Sequence, residues 1–69
     1  MTNKNWYSYP EFGSHYKLED DYLMFCPTNI DGTPDIDSSG EVDMPFMKEE
    51  SLKDYERLLE IKNELKTKK

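Results

Sequence analysis

Nucleophiles, bases and metal ligands are scarce in this sequence. Cys26 is the one cysteine and His15 the one histidine. A Cys–His pair could run nucleophilic catalysis, but no spacing fixes these two in a common geometry and no oxyanion-hole motif accompanies them. Cys26 ends the apolar run Tyr22-Leu23-Met24-Phe25-Cys26, where a thiol serves as a small buried hydrophobe. His15 follows Gly13-Ser14 in an expected turn. One Cys and one His cannot supply the four ligands of a structural zinc, and a single Cys forms no intramolecular disulfide. Acid pairs such as Asp20/Asp21 and Asp35/Asp37 read as solvated turns, not as acid–base couples. The residues predict no catalytic group, no cofactor and no metal, hence a protein that is not an enzyme.

Rings and carboxylates are more plentiful. Trp6, Tyr7, Tyr9 and Phe12 crowd one N-terminal segment, and Tyr22 and Met24 stand in the apolar run. Trp and Tyr bury much area at small entropic cost, so these six are the candidate partner-contacting residues. The same rings could instead form the core. The alternative surface is acidic and consists of Asp35, Asp37, Glu41 and Asp43. A row of carboxylates can imitate phosphates and occupy another protein's nucleic-acid site. Small acidic phage inhibitors of host enzymes are similar in size and charge. Direct nucleic-acid binding is disfavoured, because residues 1–47 carry nine acids against Lys4 and Lys17 and repel phosphate.

The segment Asp35-Ile36-Asp37-Ser38-Ser39-Gly40-Glu41-Val42-Asp43 resembles a calcium loop of the EF-hand type. Asp35, Asp37 and Ser39 fall on its first three oxygen positions and Gly40 on its sharp turn. The resemblance implies a cation held by these oxygens, but the bidentate Glu of the twelfth position is replaced by Phe46. Gly32 and Pro34 occupy the place of the entering helix. A solvated loop is the expectation.

The elements that must position these groups follow from pattern. Ser51 and Asp54 form a weak capping box, and residues from about 50 to 66 lack Gly and Pro. Helical spacing puts Tyr55, Leu58, Leu59 and Leu65 on one side, with Leu52 and Ile61 at its edges. Upstream, Trp6–Tyr9, Tyr16–Leu18 and Tyr22–Cys26 read as strands, Glu19-Asp20-Asp21 as a hairpin connection and Asp31-Gly32 as a turn. Glu41 to Phe46 alternates, with Val42, Met44 and Phe46 on one side. The predicted fold is α+β, a small antiparallel sheet of two to four short strands with one C-terminal amphipathic helix packed on it. Residues 1–69 form a single small domain, with an acidic strand and turn region (1–47) and a helix with a basic tail (48–69).

Composition sets the functional expectation. Of 69 residues only thirteen are Leu, Ile, Val or Phe, against a net charge of -6. Chains of this composition sit close to disorder, and cores below about 70–80 residues rarely contribute more than about 3–5 kcal/mol. No apolar run approaches the ~18 residues of a membrane span, and the N-terminus lacks the apolar stretch of a signal peptide, so a cytoplasmic protein without membrane contact is expected. One helix covers one sheet face; a partner protein or a second copy of the chain is expected to cover the other. The sequence thus predicts a protein-binding accessory protein whose partner is another protein or, as a homo-oligomer, a second copy of itself. The alternative is a charge-mimicking acidic inhibitor of a nucleic-acid-binding enzyme, of the kind that phages encode.

Overall fold

The computed structural model describes residues 6–68. Four antiparallel strands follow one another in chain order across a single sheet. They are β1 (Tyr7–Tyr9), β2 (Ser14–Glu19), β3 (Tyr22–Pro27) and β4 (Gly40–Glu41). Pro10 lacks the N–H that would continue β1. The chain instead makes a 3-10 turn over Pro10–Phe12, and Gly13 at φ 65° turns it back into β2. The two-residue link between β2 and β3 puts Asp20 at φ 56°. Tight hairpins need such a left-handed residue, and Asp tolerates it better than most.

Side-chain alternation sorts the sheet into two faces. The inner face carries a row of Tyr7, Tyr16, Phe25 and Gly40, with Leu18 and Leu23 in the row beside it. A helix, α2 (Leu52–Thr67), lies on this face and buries Leu58, Ile61 and Leu65. With Tyr9, Tyr16, Leu23 and Val42 these side chains make the core, and Ile61 is wholly inaccessible to water. Tyr16 stands at the centre, edge-on to Tyr9 at 5.7 Å and to Phe12 at 6.0 Å.

The predicted helix is present but differs in two respects. The buried stripe is Leu58, Ile61 and Leu65, so Ile61 moves from the edge to the centre, while Leu59 and Leu52 face outward at 38% and 55% exposure. The spacing of 3 and 4 fits a narrower seam than the broad stripe expected, because the facing sheet is only four strands wide. Val42 to Phe46 does not continue as a strand. A short helix, α1 (Met44–Glu50), begins there, with Asp43 accepting a hydrogen bond from the Phe46 backbone N–H at 3.1 Å. Pro45 in its first turn suits a helix start and would have broken a strand ladder. Ser51 separates the helices and caps α2 by accepting from the Asp54 N–H at 3.3 Å, where the capping box was expected.

Polar contacts fasten the helix to the N-terminal strand. The Tyr9 hydroxyl donates to Glu64 Oε1 at 2.8 Å. Arg57, the one arginine, grips Glu11 with two parallel bonds of 2.9 and 3.1 Å and also reaches Glu60 and Glu64. Burial and then the Glu64 bond push the Tyr9 phenol up to about 12. The Arg57 fork holds the Glu11 carboxyl below the usual range, and the Tyr9 hydroxyl does the same for Glu64. No helix among the described residues is long and apolar enough to cross a membrane.

Truncating Ile61 to Ala removes a fully buried side chain, a change that costs about 2–5 kcal/mol in well-packed cores. That is comparable to everything a core this size supplies. Urea titration followed by circular dichroism is expected to lose its native baseline in the Ile61→Ala chain at 25 °C, while Leu59→Ala retains it.

Candidate functional site

The outer face of the sheet has three rows of its own. Ser8, His15 and Cys26 form the first. The segment after β3 folds over this end of the face. The Thr28–Pro34 bridge closes a small loop, and the Asp35 N–H donates back to Pro27 at 2.8 Å. Asp31 stiffens the loop tip by accepting from both the N–H and the hydroxyl of Thr33, at 3.0 and 2.7 Å, which holds its carboxyl below the usual range. Gly32, at φ 92°, supplies the left-handed turn predicted at Asp31-Gly32. Under this cover Cys26 is inaccessible and His15 nearly so, its Nδ1 2.8 Å from Thr28 Oγ1. Burial pushes the Cys26 thiol up and the His15 imidazole down. His15, expected in a turn, is therefore a buried strand residue facing the thiol's strand.

The middle row is half-buried, with Glu41 at its exposed end. Register places Lys17 opposite Met24, and Met24 opposite Glu41. Trp6, one residue before β1, extends the row, with the Lys17 ammonium 5.0 Å from its ring centroid, inside cation–π range. In the third row, at the hairpin end, Glu19 faces Tyr22, whose ring is 55% exposed. Of the six predicted contact residues, Trp6, Tyr22 and Met24 are thus on the outer face. The other three are on the core side. Tyr9 is buried against α2, Tyr7 packs on the core with Lys68 5.4 Å from its ring, and Phe12 leans on Tyr16. The N-terminal aromatics therefore do not form one surface. Strand alternation separates Trp6 from Tyr7 and Tyr9, and the 3-10 turn carries Phe12 inward.

The acidic set is also divided. Asp35 precedes and Asp37 lies within a 3-10 turn over Ile36–Ser38, where Asp35 Oδ2 accepts from Ser38 Oγ at 3.0 Å. Glu41 points outward from β4, and Asp43 caps α1. The segment that resembles a calcium loop is thus a turn followed by a strand. Gly40 pairs with Phe25 in β4, where a calcium loop would make its sharp turn. Among the described residues no three His, Cys, Asp or Glu side chains converge as metal ligands.

Glu41 and Asp43 do meet other residues. With Asp54 they border a cavity of about 330 Å³ between the sheet edge and the two helices, floored by Phe12, Phe25, Phe46 and Met47. Asp54 continues the buried line of α2, four residues before Leu58. It is an acid on an apolar seam, a signal readable in the sequence. Lys17 and Phe46 carry no such signal, because the importance of each depends on sheet register or on helix α1. No family model matches this chain, and neither does a curated protein or a solved structure.

Because burial lowers the His15 value in the folded state, the unfolded chain binds the proton more readily. The neutral imidazole's contribution is fully present above the unfolded value of about 6.5 and declines as pH falls below it. Thermal unfolding is expected to be flat from pH 7 to 8 and to lose stability from pH 6.5 to 5. In His15→Phe that slope is expected to flatten, apart from the carboxylate losses at lower pH.

Proposed function

We propose that the chain is a small, non-enzymatic protein-binding accessory protein whose contact surface is the outer face of the sheet, and that the first surface it meets is a second copy of itself. One observation carries this reading, the half-buried row Trp6–Lys17–Met24–Glu41, which no strand or helix among the described residues covers. The row is apolar at its centre and carries one charge of each sign on either side of Met24. Neighbouring strands lie about 4.8 Å apart. A two-fold axis running along β3 would set Met24 against Met24, with Lys17 of each copy facing Glu41 of the other. A pattern complementary to itself is what an isologous contact requires. Tyr22 and Trp6 would add ring area at the ends, where anchors of this kind do most. The face is small, so the dimer is a weak one.

The reading as an acidic inhibitor draws less support. It asks Asp35, Asp37, Glu41 and Asp43 to act as one array. Asp35 and Asp43 already hold a neighbouring hydroxyl and a backbone N–H, and the four are divided among a turn, a strand and a helix cap.

Sedimentation equilibrium tests the proposal. The expected mass rises with concentration from the 8.2 kDa of one chain, more steeply at low salt. Lys17→Glu and Glu41→Lys are each expected to keep the chain monomeric, and the double exchange to restore association. A single-chain mass at every concentration, or charge exchanges without effect, would refute self-association through this row.

A further inference from the structure

A second surface differs from the outer face in its chemistry. The cavity bordered by Glu41, Asp43 and Asp54 does not stand alone. A depression of about 320 Å³ adjoins it on the β4–α1 side and shares Glu41 and Asp43. Another, of about 310 Å³, adjoins it on the far side and shares Phe12 and Asp54. The three make a cleft with an apolar centre and carboxylates toward both ends. The central volume suits one bulky side chain and lies at the low end of ligand-pocket sizes. Phe46, on its wall, is 54% exposed.

The charges around the cleft favour a cationic occupant. Glu41, Asp43 and Asp54 enter no ion pair among the described residues. Of the two cations beside the Asp54 end, Arg57 is engaged by Glu11, Glu60 and Glu64, which leaves Lys53 as the opposing charge. We infer that the cleft binds an extended segment of a partner protein in which a bulky apolar side chain is flanked by Lys or Arg. The apolar side chain fills the space over Phe25 and Met47, and the flanking cations meet Asp43 at one end and Asp54 at the other. Three depressions in series suit a peptide better than a compact small molecule, and the carboxylates on both sides set its charge pattern. This contact borders the outer-face row at Glu41, and the variants that test it, at Asp43 and Asp54, leave Lys17 and Glu41 in place, so its failure and that of self-association are distinguishable.

Amide spectra of the isotope-labelled full chain test the inference with three blocked pentapeptides, Gly-Lys-Trp-Lys-Gly, Gly-Glu-Trp-Glu-Gly and Gly-Lys-Gly-Lys-Gly. The first is expected to shift the amides of Val42, Asp43, Phe46 and Met47 in a saturable way. The other two are expected to bind about tenfold more weakly or not at all, since each lacks either the charges or the anchor. The isosteric pair Asp43→Asn and Asp54→Asn retains a capping side chain at 43 and is expected to weaken the first peptide by about threefold to tenfold at low salt. Equal binding of the acidic peptide, equal binding of the Trp-free peptide, shifts spread over the whole chain, or a double variant with dispersed spectra and unchanged affinity would each overturn it.

Discussion

One contact organises this protein, the seating of Leu58, Ile61 and Leu65 on the inner face around Tyr16. So few apolar side chains are available that a single seam must do most of the stabilising. Everything that fastens the seam is therefore concentrated near it. The Tyr9–Glu64 and Arg57–Glu11 bonds tie the helix to β1 and the turn after it. The Arg57–Glu11 ion pair is exposed, so it serves more to fix the helix's position than to stabilise it. Val42, whose N–H bonds to Leu23 at 2.9 Å, carries the chain from the sheet edge under the seam.

The same economy explains where surfaces are left over. One sixteen-residue helix covers one face of the sheet. The chain spends residues 28–38 on one end of the other face, sealing Cys26 and His15, and leaves the middle row half-buried. Where the helix seam runs out at Asp54, α1 does not close the gap, and the cleft results. The candidate surfaces are thus the two places that a short chain's own atoms do not reach. Expectation and structure differ on how much cover a second molecule must supply. The Thr28–Asp35 loop provides part of it from within.

Much of the fold could be read from sequence because its signals are local. Pro10 and Pro27 end strands, Gly13 and Asp31-Gly32 turn them, and Ser51 starts α2. The alternation in Tyr22–Cys26 was visible as an apolar run, and it becomes two surfaces once register assigns Leu23 and Phe25 inward and Met24 outward. Register was the missing information for the site. Trp6 and Tyr7 are adjacent in sequence and lie on opposite faces, so clustering along the chain said little about clustering in space. Residues 42–50 misled for a different reason. Val42, Met44 and Phe46 alternate as a strand would, yet the Asp43 cap and Pro45 set the backbone. Local hydrogen bonding outweighed periodicity over so short a stretch.

The core closes on the inner sheet face and leaves the Trp6–Met24 row only half-buried in the single chain. Line broadening by a soluble gadolinium chelate, measured at high dilution, tests it directly. The Tyr22 ring should broaden most and the Trp6 indole and Met24 methyl to an intermediate degree, while the methyls of Leu58 and Ile61 stay sharp. Protection of Met24 and Trp6 equal to that of Ile61 would contradict the account.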